Sequence, residues 1–228
     1  MRALREARGE RVAGYKIGWT NRANWGRMGI AGPMWGTLHD ASLIECDGHA
    51  DIDLAGLPLP RLEPEVVVGF ARAPGDDPSL ADLFDSLAWI APGFEIVQSH
   101  LADWRYTPAQ TIADSAVHAR LVIGRKTLVR AVAADGEALA ALLAQADVRL
   151  TEGGAVMTRG VGANVLDGPL QALRGFVRQM AATPGALPLK AGDVVTTGTW
   201  TDAQPLAAGE TWRADFDAPV GAIEITLR

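Results

Sequence analysis

Twenty-five glycines and thirteen prolines cut the 228-residue chain into short runs, and this punctuation constrains the fold more than any other feature. Glycine and proline weaken element interiors and favour turns, so a chain interrupted this often builds from short strands and tight connections. Strand-like segments fall at 14–20, 65–71, 93–99, 118–124, 126–133, 193–200, 210–217 and 221–228. Two further stretches, 43–53 and 148–160, read as strand–turn–strand about Asp47-Gly48 and Gly153-Gly154. Helical segments are fewer: 2–12, 21–29, 79–89 with Ser79 and Asp82 close to a capping box, 135–146, and 169–182 with Pro169 in its first turn. Residues 31–38 read as loop. Strands outnumber helices and no regular β-α-β alternation appears, so the expected class is α+β with a dominant antiparallel or mixed β core. No repeat or linker divides the chain, and one domain is the simplest count.

Composition narrows the function classes. Hydrophobic residues at 48% and charged residues at 21% are ordinary for a globular protein. The net charge is −6 and no basic stripe appears, which argues against nucleic acid as a partner. Cys46 is the single cysteine, so no intrachain disulfide can form. No run of 18 apolar residues exists and the charged N-terminus lacks a signal-peptide core; no membrane partner and a cytoplasmic location are the expectation.

The chemistry concentrates around "RLEPEVVV" at 61–68. On a strand, residues i and i+2 share a face, so Glu63 and Glu65 aim two carboxylates at one spot. Such a pair does not stay ionised without a partner, which could be a divalent cation, a shared proton or water. Glu95 lies between Phe94 and Ile96 on an apolar strand, where an unpaired carboxylate costs several kcal/mol, roughly 3–5. Three such acids together would suit a hard cation. Lys16, between Tyr15 and Ile17 in a glycine-bounded strand, either holds a substrate carboxylate, moves a proton with a depressed pKa, or snorkels at a strand edge.

Other elements carry less. "RGVGANV" (159–165) has Val165 where a dinucleotide fingerprint needs its third glycine. His39, His49, His100 and His118 share no metal-ligand spacing, although His100 is near enough to Glu95 in sequence to reach it. Asp40 and Asp114 sit beside turns as caps or supporting acids. Trp19, Trp25 and Trp35 would line a pocket, an interface or the core.

Taken in order, "GYKIGWTN", "GTLHD", "RLEPEVVV", "APGFEIVQSH", "TIADSA", "GVGANVLDGPL", "LKAGDVVTTGTWT" and "PLAAGETWRADFDAPVGAIEITL" resemble the fumarylacetoacetate hydrolase superfamily. The branch is similar to the 2-keto-4-pentenoate hydratases and 2-oxo-3-enedioate decarboxylases. The resemblance implies a mixed β-roll or sandwich with flanking helices, and a single catalytic domain over 1–228 in which 1–12 is the remnant of an N-terminal helical segment. It implies Mg²⁺ or Mn²⁺ on Glu63, Glu65 and Glu95, with Lys16 and Glu65 catalytic. Substrate-binding residues would be Lys16, Asp40, Thr197 and Gly198.

The activity it implies first is metal-dependent hydration of a 2-hydroxy-2,4-dienoate to a 4-hydroxy-2-oxo acid. Decarboxylation of a 2-oxo-3-enedioate, C–C hydrolysis of an acylpyruvate, tautomerisation and a non-catalytic metal-binding role stay open. A homo-oligomer is the usual state in the family, and a pathway aldolase or decarboxylase is the protein partner it suggests. Gln98 and His100 stand where relatives often carry Asp and Arg, Ser115 where they often carry Asn, and "GTWT" replaces a small-residue turn.

Overall fold

A computed structural model describes residues 2–228 of the protein. In chain order its elements are α1 (Arg2–Glu6), β1 (Val12–Gly18), α2 (Trp25–Met28), β2 (Met34–His39), β3 (Leu43–Glu45), β4 (His49–Ile52), β5 (Arg61–Phe70), α3 (Leu80–Ser86), β6 (Leu87–Val97), α4 (Pro108–Ala113) and β7 (His118–Ile123). There follow β8 (Thr127–Leu128), α5 (Val129–Val132), α6 (Gly136–Gln145), β9 (Asp147–Glu152), β10 (Ala155–Val161), α7 (Pro169–Ala181), β11 (Val194–Thr196), β12 (Gln204–Pro205), β13 (Thr211–Phe216) and β14 (Ala222–Leu227).

The strands form two mixed sheets. The larger runs β2-β1-β11-β5-β6-β7-β3, with β12 also on β5 and β8 on β6; the smaller runs β10-β9-β13-β14-β4. Strand β5 sits at the centre of the first, antiparallel to β11 on one side and β6 on the other. Its alternation decides the layers. Leu62, Val66 and Val68 enter the large core together with Phe94 and Ile96 of β6, whereas Val67 joins a smaller cluster with Ala91, Leu121 and Ile123. Glu63 and Glu65 share the face of Val67, and Glu95 the face of Ala91. The carboxylates therefore lie on the side of the sheet opposite the large core.

Helices cover the other face. Helix α7 buries Leu170, Leu173, Phe176, Val177 and Met180, a stripe at helical spacing. Phe176 meets Tyr15 and Trp35 at ring-centroid distances of 5.6 and 5.9 Å, so Trp35 belongs to the core. The box around Ser79 is complete, Ser79 accepting from the Asp82 amide while the Asp82 carboxylate takes the Ser79 amide.

The α+β expectation holds, and several local readings are corrected. Residues 34–39 form an edge strand, β2, where Met34, Gly36 and Leu38 turn inward; the Gly-Pro pair masks that alternation only at its start. The 43–53 stretch is no hairpin. β3 runs parallel to β7 in the large sheet and β4 parallel to β14 in the small one, so Asp47-Gly48 is a crossing between sheets. Only Thr127–Leu128 of the 126–133 segment pairs as strand before α5 begins. Strand β6 starts at Leu87, which ends α3 at Ser86, and the N-terminal helix stops at Glu6. The 21–29 helix is a 3₁₀ turn, Arg22–Asn24, followed by α2. No helix among the described residues is long and apolar enough to cross a membrane.

Candidate metal and substrate site

Strand register brings the acids together. Glu63 pairs with Glu95 across β5 and β6, and Glu65 is two residues further along the same face. One carboxylate oxygen from each of the three lies within 4.8 Å of the others. Glu65 is fully fixed on one side: its Oε2 accepts from the Thr196 hydroxyl and, at 2.6 Å, from the Gly198 amide. Its Oε1 is buried with no partner. Gly198 sits at φ +112°, and a Cβ there would stand 2.3 Å from Thr20 Oγ1, so glycine is required where this amide turns toward Glu65.

Lys16 comes from β1, next to β11, with Lys16 opposite Thr196. It is 3% exposed. Its Nζ lies 3.1 Å from Glu95 Oε2 and donates at 3.1 Å to the Ala116 carbonyl. That carbonyl is held by an unusual backbone. Ser115, Ala116 and Val117 are all left-handed, at φ 51°, 54° and 60°, a conformation costly for non-glycine residues. The segment packs on Gly36 of β2, where a Cβ would fall 2.4 Å from the Ser115 carbonyl oxygen.

The electrostatics follow from crowding of one half-buried and two buried carboxylates. Burial drives Glu63 up to about 7, with Lys16 pulling down against it. Burial and the neighbouring Glu95 and Glu63 raise Glu65 well above the carboxylate range. Burial would raise Glu95 too, but Lys16 and His118 outweigh it and hold it low. For Lys16, burial lowers the pKa, and Glu95, Glu63 and Glu65 together overcome it and raise it. Of the three readings of Lys16 from sequence, burial speaks against a snorkelling side chain, and the raised pKa favours a cation that holds a carboxylate over a lysine with a depressed pKa.

The cluster opens onto a cavity of about 1070 Å³. Trp19, Trp104, Tyr106 and Trp200 give it aromatic walls, and Arg61 lines it beside Glu63. The Arg61 guanidinium lies 4.5 Å from the centre of the Trp104 ring.

Among the residues expected from sequence, Lys16, Glu63, Glu65 and Glu95 converge, Glu95 lying just behind the cavity wall, and Asp40, Thr197 and Gly198 do not line the cavity either. Asp40 is on the surface, accepting from the Arg11 amide at 3.0 Å and pairing with its guanidinium at 3.1 Å, because its 3₁₀ turn leads away from the cavity. Thr197 is buried, its hydroxyl donating to the Val66 carbonyl; the preceding Thr196 is the one that meets Glu65. Gly198 contributes its amide to Glu65, away from the cavity lining. His100 turns outward to Asp114 at 3.0 Å, and the histidine that reaches Glu95 is His118, at 2.9 Å. Trp19 lines the cavity while Trp25 donates to its carbonyl at 2.7 Å.

A family model described as fumarylacetoacetate (FAA) hydrolase C-terminal matches residues 52–228. The chain belongs to this family. Among curated relatives, a 2-keto-4-pentenoate hydratase of Burkholderia vietnamiensis is 35% identical over 226 residues, covering 98% of this chain and 81% of that protein. A 2-hydroxyhexa-2,4-dienoate hydratase of Comamonas testosteroni is 33% identical over 213 residues, covering 92% and 76%. The solved 4-oxalocrotonate decarboxylase from Pseudomonas putida G7, complexed with magnesium and adipate, superposes with a TM-score of 0.86 at 27% identity over 100% of this chain and 82% of that one.

The family site of this chain fits a hard divalent cation on its own chemistry. Three oxygen donors converge, burial and mutual repulsion raise the pKa of two of them, and the buried Glu65 Oε1 has no partner in the protein.

Proposed function

We propose that the protein is a divalent-metal-dependent hydratase. It adds water to a 2-hydroxy-2,4-dienoate of the 2-keto-4-pentenoate type and yields a 4-hydroxy-2-oxo acid. Glu63, Glu65 and Glu95 would hold Mg²⁺ or Mn²⁺, and Lys16 faces them as the cationic acid. The single observation that carries the reading is a buried lysine set 3.1 Å from one of three clustered carboxylates, two of which line a cavity with it. The 35% identity to a hydratase over 98% of the chain supports the reaction class.

When bound, the cation supplies Lewis-acid polarisation of the substrate's 2-oxygen. The chain's own residues do the rest. An ammonium has three N–H donors; Lys16 gives one to the Ala116 carbonyl and lies in ion-pair range of Glu95 Oε2. It keeps donor capacity for the substrate, where negative charge develops on the 2-oxygen as dienol and 2-oxo-3-ene tautomers interconvert. Conjugation with the 2-oxo group makes C4 electrophilic, so water's oxygen bonds to C4 and a proton goes to C3. The aromatic walls flank the diene, and Arg61 supplies a second positive charge for the substrate carboxylate. A homo-oligomer is the assembly we propose.

A second reading is favoured by the fold match to the 4-oxalocrotonate decarboxylase. There the same carboxylates and lysine would stabilise the enolate left when CO₂ departs from a 2-oxo-3-enedioate. The test is to add freshly prepared 2-hydroxypenta-2,4-dienoate to the protein with Mg²⁺ or Mn²⁺ and to follow its ultraviolet absorbance. Metal-dependent loss with formation of 4-hydroxy-2-oxopentanoate supports the hydratase. No loss there, but CO₂ release from a 2-oxo-3-enedioate, supports the decarboxylase. Inertness toward both, with metal still bound, ends the enzymatic reading.

A further inference from the structure

One buried titratable side chain touches the acid cluster without lining the cavity. His118 is 3% exposed. Its Nδ1 donates to Glu95 Oε1 at 2.9 Å, and its Nε2 pairs with Ser42 Oγ at 2.9 Å. Ser42 is also buried, and its one hydroxyl proton is shared between the His39 carbonyl at 2.8 Å and Nε2, so both ring nitrogens face fixed groups. The strand geometry looks built for this contact. The β6–β7 register shifts between Ile96 and Val97, with Ile96 opposite Arg120 and Val97 opposite His118. That irregularity turns His118 onto the face of Glu95 and sends Ala119 into the large core.

The consequence is a division of labour between the two oxygens of Glu95. Oε1 is committed to His118, so Oε2 alone is left near Lys16 and the other acids. Glu65 is divided in the same way, Oε2 committed to Thr196 and Gly198 and Oε1 left bare. Without the imidazole, the Glu95 carboxylate is free to swing both oxygens onto the Lys16 ammonium, which removes it from the cluster. We infer that His118, seated on Ser42, is a positioning residue that fixes Glu95 as a single-oxygen donor toward the cation. This rests on the divalent-metal reading above.

The experiment titrates Mn²⁺ into metal-free protein and reads free Mn²⁺ by electron paramagnetic resonance, with no substrate present. Partners that orient metal ligands typically change affinity by about 10–100-fold, so H118L should bind Mn²⁺ that much more weakly, whereas H118N, which keeps an N–H donor, should stay within about threefold of wild type. V122A, which removes core volume from the same strand, should lower the melting temperature and leave Mn²⁺ affinity unchanged. If H118L does not fold, S42A carries the test, with a loss of about threefold or more expected from an unanchored ring. Wild-type affinity in folded H118L, or in S42A where H118L is unfolded, overturns the inference, as does H118N binding as weakly as H118L. A wild-type protein that binds no Mn²⁺ overturns the metal reading itself, so the two failures are distinguishable.

Discussion

At the scale of single residues, Glu65 is where fold stability and function conflict. Burial of this acid beside two others is unfavourable without a cation, yet its Oε2 is held by the Thr196 hydroxyl and the Gly198 amide. Glutamine preserves that acceptor and removes the charge. Metal-free Glu65→Gln should therefore melt above metal-free wild type at pH 8, while its Mn²⁺ affinity and turnover fall at least about 100-fold, the scale of losing a charge-stabilising group. Calorimetry and a metal titration on the same sample check both halves, and a variant that melts lower while still turning over contradicts the assignment. Lys16 makes the converse case. Its ammonium lies buried among the acids, 3.1 Å from Glu95 Oε2, so Lys16→Met should lower kcat by about 10²–10³-fold with a smaller change in KM, measured under saturating Mg²⁺.

At the scale of elements, the site depends on segments that make no contact with substrate. The left-handed Ser115–Val117 turn presents its carbonyl to Lys16 only because β2 offers a glycine beneath it. Gly36→Ala would push a methyl into the Ser115 carbonyl, an overpacking worth about 1–3 kcal/mol. The expected result is a lower melting temperature together with reduced kcat, and an unchanged kcat would show that the Ala116 carbonyl does not set the lysine. This dependence marks the limit of what the sequence discloses. Glu63, Glu65, Glu95 and Lys16 were legible because a charged residue on an apolar strand is locally anomalous and strand alternation fixes its face. His118 was not, because it acts through Glu95 across an irregular β6–β7 register, and no spacing along the chain encodes a register shift between strands. Asp40 misled for a related reason: a turn acid and a site acid look alike until the direction of the turn is known. The 43–53 segment has the local chemistry of a hairpin, but its two halves find parallel partners in different sheets, a choice made by pairing far along the chain.

At the scale of the whole molecule, the acid cluster links folding to pH and to metal. Glu63 titrates at about 7 when folded, against an ordinary value of 4.5, so between those values the native state keeps a proton that the unfolded chain has released. Stability then falls as pH rises through that window, and the raised Glu65 acts in the same direction. His39 and His118 act oppositely, since burial lowers both, but the unfolded chain is half deprotonated there at 6.5 and their opposing gain fades about one pH unit above it. Glu95, lowered, adds stability that is already complete above 4.5, and the raised Lys16 loses none until above 10.5. From pH 6.5 to 8 Glu63 therefore governs, by at most about 1.4 kcal/mol per pH unit, with the raised Glu65 acting in the same sense. Urea unfolding in EDTA should show the metal-free protein weakening over this range. A divalent cation displaces the protons and binds only the folded state, and its affinity rises as the ligands ionise. The stabilisation gained on adding Mn²⁺ should thus be larger at pH 8 than at pH 6.5. A metal-free protein that gains stability from pH 6.5 to 8, or a Mn²⁺ effect that shrinks over the same interval, would place these carboxylates in water rather than in a shared crowded site.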